Sequence, residues 1–395
     1  MRAFTQPIKY HLAEDTIDKK DIDALREWLS GYPRLTKGPL HPEFEKKWSA
    51  WWGRKHSVFC NSGSSANLLM FYALLLSGKM KNKKVIVPAA GWPTTITPAI
   101  QFGFEPIMCE ADKDTFAMDV GCLERLLEEH NPGAVIFVQI LGVPHQHIDQ
   151  LLALKEKYGF VLLEDACAAM GASYHGRKVG SFGDMASFSL YFGHQLSTIE
   201  GGVVSTDDPE LNDLLVMLRS HGWGKDLPES SHEKLLKKYG IDNTHEPFIF
   251  YEPGFNLRAT DLQAFIGIRQ LDKMDFLIKR RNENHIRYKK LLGGRLYTQS
   301  FDAETTVCSI HFCSLAKDEK ERGAIVEALR QNGIETRLYT AGNLGLHPFW
   351  ADRYGEAHFA WADELHKRGF FLPNHPSLSV EDVEFISSVV LKAIC

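Results

Sequence analysis

Seven short apolar or β-branched runs recur between His56 and Thr206: SVFC, KKVIVP, EPIMCE, AVIFVQI, FVLLED, ASFSL and GGVVST, alternating with helical stretches. Runs that stay apolar instead of alternating with polar residues belong to strands buried on both faces. Helices covering a mostly parallel sheet provide that burial. The expected fold class is therefore α/β.

Helices are expected from Asp18 to Leu29, through Trp52, and from Pro209 to Ser220. The Pro/Gly-rich GYPRLTKGPLHPEF between the first two either covers a site or crosses the surface. After HGW the chain reads as polar and irregular. A long helix rich in Lys and Arg begins near Leu271, followed by TTVCSIHFCSL, a helix in ERGAIVEALRQNG, a strand in ETRLYT and a terminal helix in EDVEFISSVVLKAI. That compact α+β set suits a smaller second domain, so the expected division is 1–270 and 271–395.

A net charge of −5 gives no reason to expect nucleic acid or an anionic membrane as partner, nor does any run of Lys or Arg. The N-terminus lacks the apolar core of a signal peptide, and no apolar segment approaches spanning length, so a cytoplasmic location is expected. Seven scattered cysteines without a CxxC signal neither a disulfide framework nor a zinc or iron–sulfur site. Cys308 and Cys313 read as core residues of one strand.

Several motifs carry chemistry. Asn61-Ser62-Gly63-Ser64-Ser65 follows a strand and opens a helix, where backbone N–H groups and hydroxyls make a phosphate cradle; a plain N-cap accounts for the same residues. Glu164-Asp165 ends the run FVLLED, where a parallel strand delivers side chains to a ligand crevice; a capping Asp is the alternative. Trp92 is placed to stack on a flat ring or to fill the core. Asn256 and Arg258 suit a phosphate or a surface loop, and His221 is equally ambiguous. His145 and His147 have HxH spacing but no third ligand nearby, so no metal is expected. His194 lies between the strand MASFSL and the turn Glu200-Gly201-Gly202.

In their joint order these residues, across nearly the whole chain, resemble the DegT-like nucleotide-sugar aminotransferase and dehydratase family. These are pyridoxal-phosphate enzymes with the aspartate-aminotransferase fold (fold type I). The resemblance implies that Ser64, Ser65 and Ser189 bind the cofactor phosphate, that Trp92 packs on the pyridine and that Asp165 pairs with the ring nitrogen. It implies that Asn256, with Arg258, reaches the neighbouring subunit's site in a homodimer with shared active sites, with Arg258 and His221 placed towards substrate. Ala168 departs from the family, which has Gln, Glu or His there.

Most of the family has a lysine at the position of His194. An imidazole makes no stable covalent link to pyridoxal phosphate, so the pyridoxamine form is favoured and His194 becomes a general base. This marks the branch of nucleotide-linked 4-keto-6-deoxysugar 3-dehydratases, in which the resemblance implies loss of the C3 hydroxyl and restoration of the amino cofactor by glutamate. The cysteine-free stretch GKDLPESSHEKLLKKYG leaves no thiolates for an iron–sulfur cluster there. The rivals are a sugar aminotransferase using Lys178 or Lys225, and an inactive relative that binds sugar or cofactor.

Overall fold

The computed structural model describes residues 7–242 and 244–394. Its strands are, in chain order, β1 (His56–Cys60), β2 (Lys84–Pro88), β3 (Glu105–Cys109), β4 (Ala134–Val138), β5 (Val161–Asp165), β6 (Ser173–Tyr174), β7 (Arg177–Lys178), β8 (Met185–Ser189), β9 (Gly202–Thr206), β10 (Tyr297–Thr298), β11 (His311–Leu315) and β12 (Gly369–Pro373). The seven apolar runs form one sheet in the order β1-β9-β8-β5-β4-β2-β3. Only β9 runs against the rest, paired antiparallel with β1 and β8, while β8, β5, β4, β2 and β3 are parallel neighbours. Six strands therefore direct their carboxyl ends to one edge.

Alternate residues supply two cores. Val58, Val85, Val87, Ile136, Leu163 and Val204 pack on one face. Phe59, Ile86, Phe137, Leu162, Phe188 and Val203 pack on the other. This two-sided burial is why the runs show no polar alternation. A third core, including Tyr288, Phe312, Ile325, Phe370 and Ile386, lies around β10, β11 and β12, an antiparallel sheet covered by helices Glu319–Gln331 and Val380–Ala393. The helix Met274–Leu292 contributes Met274 and Leu277 to the second core and Tyr288 and Leu292 to the third. We propose the border between the two domains just ahead of this helix, 1–270 against 271–395. The N-terminal stretch also reaches the smaller sheet's surroundings, since Tyr10 bridges Ile334.

Three expectations need correction. ETRLYT forms no strand: Glu335 N–H donates to the Tyr10 carbonyl, while the Arg337 carbonyl accepts from Phe371 N–H, so its backbone bonds are divided between two partners. Cys308 is buried but precedes β11, so only Cys313 lies in that strand. The polar stretch after HGW contains the helix Glu229–Tyr239, which buries none of its residues and so left no apolar stripe to read. The Pro/Gly-rich loop, for its part, is pinned by the buried Asp261 carboxylate, which accepts from the N–H groups of Gly38, Leu40 and His41. Among the described residues no helix is long and apolar enough to cross a membrane.

Two glycines allow the turn after β1 to touch the β8–β9 hairpin. A Cβ on Gly202 would lie 2.1 Å from the Ser62 carbonyl oxygen, and one on Gly63 would lie 2.5 Å from Ser189 Cβ. Gly202→Ala is expected to lower stability by about 1–3 kcal/mol through overpacking. Thermal melts against Gly294→Ala, whose added carbon meets nothing within 4 Å, test this. Equal melting temperatures would show that the contact is loose.

Candidate active site

A cavity of about 430 Å³ opens at the carboxyl edge of the large sheet. Its wall takes Ser62, Gly63 and Ser64 from the turn and helix start after β1, Trp92 and Thr95 from the cap and first turn of the helix Pro93–Gln101 after β2, and Asp165 from the end of β5. Ser189 ends β8, His194 and Glu200 come from the loop before β9, and Ile310, His311, Arg337 and Phe371 close the opposite side.

The helix Gly63–Leu76 begins at this cavity. Ser62 caps it, its side chain accepting from Ser65 N–H, and the Ser62 and Ser65 hydroxyls are 2.9 Å apart. Ser65 is thus engaged in the cap and is not in the cavity wall. Ser64 is in the wall, its hydroxyl 3.0 Å from that of Thr94. The helix N-terminus, with Ser64 and Ser189 beside it, presents free N–H groups and hydroxyls to an anion.

The neighbours Glu164 and Asp165 point to opposite sides of β5, as strand alternation requires. Glu164 turns inward and accepts from the N–H groups of Gly180, Phe182 and Gly183; burial raises its pKa against those bonds. Its role is structural. Asp165, 5% exposed, faces the cavity. One of its oxygens accepts from Asn67 Nδ2 (2.9 Å) and Thr95 Oγ1 (2.6 Å), and the other from Cys167 N–H (3.0 Å). The Ser187 hydroxyl in turn donates to the Asn67 side-chain Oδ1 at 2.6 Å. Sequence reasoning missed Asn67, Thr95 and Ser187. The available signal for Asn67 was a polar residue inside the apolar stretch SANLLMFYALLL.

Trp92 is 48% exposed, with the Arg337 guanidinium 5.5 Å from its ring centre. It offers a flat, open face. Arg337 and His311 also escaped the sequence reading, because each sits in a stretch read only as strand.

His194 is half-buried at the cavity wall. Its Nδ1 lies 3.3 Å from the Ser189 carbonyl, so Nδ1 carries the hydrogen and Nε2 keeps a lone pair. Burial lowers its pKa to about 4, so the ring is neutral near pH 7. Among the described residues no lysine lines the cavity. Lys178 lies over the Trp51 ring and Lys225 over Trp223, both outside the cavity wall.

Asn256, Arg258 and His221 do not line this cavity in the single chain. Asn256 bridges Ser220, and Arg258 Nε donates to Asn256 Oδ1 at 3.0 Å. His221 is exposed in a left-handed conformation. His145 is buried and uses both ring nitrogens within the protein, on the Met118 carbonyl and His147 N–H.

The arrangement fits the cofactor that the resemblance implies. The serine-lined helix start suits its phosphate, the open Trp92 face its ring, and the oriented Asp165 carboxylate a protonated ring nitrogen. Ala168, already a departure from the family in the sequence, also lines the cavity with its methyl.

The DegT/DnrJ/EryC1/StrS aminotransferase family model matches residues 15–391. The chain is 34% identical to the GDP-4-keto-6-deoxy-D-mannose 3-dehydratase of Yersinia pseudotuberculosis, over 98% of this chain and 99% of that one. It superimposes on the Escherichia coli GDP-4-keto-6-deoxy-D-mannose-3-dehydratase with bound hydrated PLP with a TM-score of 0.89 at 29% identity, covering 98% and 100% of the two chains. A structure of GDP-4-keto-6-deoxymannose-3-dehydratase with a trapped PLP-glutamate geminal diamine matches with a TM-score of 0.87 at 29% identity, covering 97% and 100%. The fold is the aspartate-aminotransferase-like fold type I, as expected.

Five imidazoles, those of His145, His194, His285, His311 and His375, are held by burial at about 3 to 4, below the usual 6.5. The unfolded chain therefore binds more protons than the folded one between about pH 4 and 6.5. Stability is full above pH 6.5 and falls as the pH drops through that window, each group adding up to about 1.4 kcal/mol per pH unit. Melting temperatures recorded from pH 8 to 4 test this, and a flat profile above pH 5 would contradict it.

Proposed function

The chain belongs to the DegT/DnrJ/EryC1/StrS aminotransferase family, and on that premise we propose that it is a pyridoxal-phosphate/pyridoxamine-phosphate-dependent 3-dehydratase of a nucleotide-linked 4-keto-6-deoxyhexose. The observation that carries this reading is a neutral histidine in a cavity that, among the described residues, no lysine lines. The similarity to GDP-4-keto-6-deoxy-D-mannose 3-dehydratases, with cavity chemistry that fits the same cofactor, supports a GDP-linked substrate in deoxysugar formation and glutamate as amino donor.

When bound, the cofactor supplies an amine for condensation with the sugar ketone and a ring that accepts electrons. Ser64, Ser189 and the helix N-terminus hold its phosphate, and Trp92 covers one face of its ring. Asp165, oriented by Asn67, Thr95 and Cys167 N–H, keeps the ring nitrogen protonated. His194 takes and returns a proton at Nε2, with its ring fixed by the Ser189 carbonyl. With no amine to tether the cofactor, these non-covalent contacts carry all its binding. Tyr191, Phe192 and Ile199 are exposed apolar residues around His194, which supports a homodimer covering this loop. Asn256 and Arg258 would then reach the partner's cavity.

Incubation with PLP, glutamate and GDP-4-keto-6-deoxy-D-mannose is expected to release ammonia and remove the C3 oxygen. Nitrogen retained in the sugar would assign an aminotransferase, and no turnover an inactive relative. His194→Lys is expected to end dehydration and to raise the protein mass by one cofactor after borohydride treatment. Continued C3 deoxygenation by this variant would remove the base role. Asp165→Asn is expected to lower kcat roughly 100-fold or more, corresponding to about 3 kcal/mol of lost electrostatic stabilisation. Unchanged turnover would show Asp165 to be misassigned.

A further inference from the structure

Arg281, on the helix Met274–Leu292, is 2% exposed, and among the described residues no carboxylate pairs with it. Its guanidinium instead binds carbonyl groups. Nη1 donates to Ser309 (3.2 Å), Ile310 (3.3 Å) and Asn374 (2.9 Å), and Nη2 donates to His194 (3.0 Å). The Asn374 amide donates back to the Arg281 carbonyl at 3.2 Å.

These acceptors belong to both sides of the cavity. Ser309 and Ile310 lead into β11, which carries His311; Asn374 follows β12, which carries Phe371. One planar group thus ties the loop of His194 to the two strands opposite it. A rigid fork matches several fixed acceptors better than a point charge does.

We propose that Arg281 is a positioning residue for His194, holding that residue's carbonyl and, through a buried positive charge that pairs with no carboxylate among the described residues, adding to burial in favouring the neutral, proton-accepting imidazole. This rests on His194 being the base. The groups facing the ring are Tyr191 and Glu200 from its own loop, Asp165 from β5, His311 from β11, Arg337 across the cavity and Arg281 behind it. Asp165 favours the charged ring but is already engaged by Asn67, Thr95 and Cys167 N–H. Burial and Arg281 both act against it. The consequence extends to the return of the proton: as the C3–O bond breaks, the oxygen leaves as water with the proton from Nε2, and a nearby positive charge makes the imidazolium the stronger acid.

The test compares Arg281→Met and Arg281→Lys in the cofactor-loaded enzyme. The His194 titration is read by NMR of imidazole-labelled protein, with the signal assigned by His194→Gln, and kcat/KM is read against pH. In Arg281→Met the His194 midpoint is expected to rise by about one pH unit or more, with the acid limb of kcat/KM following it. In Arg281→Lys the midpoint is expected to stay while kcat falls, since an ammonium cannot reproduce the fork. Unshifted midpoints in both variants, or equal shifts in both, would overturn the proposal. If Arg281→Met does not fold, Arg281→Gln supplies the neutral arm. The NMR midpoint needs no turnover, so an error in the assigned reaction would leave this coupling separately measured.

Discussion

The contact between the turn after β1 and the β8–β9 hairpin is the constraint on which the rest of the structure depends. It brings the start of a fourteen-residue helix against Ser189 and Gly202, with no room for a Cβ on Gly63 or Gly202. The first N–H groups of that helix, the Ser189 hydroxyl and the loop of His194 thereby share one wall.

Around that wall the protein separates two carboxylates by strand alternation alone. Glu164 is turned inward and saturated by backbone N–H groups, so it braces the segment 180–183. Asp165 is turned to the cavity and held by side chains that come from two other elements, Asn67 and Thr95. A carboxylate oriented in this way keeps its charge aimed where a cationic ring nitrogen would sit, and the surrounding dipoles need not reorganise as charge moves.

Replacing a tethering amine by an imidazole changes what the surroundings must do. A lysine would hold the cofactor by a covalent bond; on the proposed reading a histidine would leave that task to the serine-lined helix start, the Trp92 face and Asp165, and would itself be free to handle protons. Burial holds the imidazole at about 4, while its Nδ1 contact to the Ser189 carbonyl leaves Nε2 with its lone pair. The ring is therefore both fixed in orientation and neutral.

By itself the sequence determined the sheet, because strands buried on both faces must be continuously apolar, and it singled out residues whose motifs lie in one turn or at one strand end, Ser64, Trp92, Asp165, Ser189 and His194, which all line the one cavity. It also displayed histidine where an amine belongs, a matter of residue identity that needs no coordinates. Only the tertiary structure decided that ETRLYT would give up a strand to divide its bonds between Tyr10 and Phe371, and that Asn67, Thr95 and Ser187 would orient Asp165. Likewise, Arg281 is one basic residue among many on a charged helix until folding buries it behind His194. The physical reason is separation along the chain: periodicity and local motifs report what a residue does within its own element, whereas these bonds join elements that meet only after the core has closed.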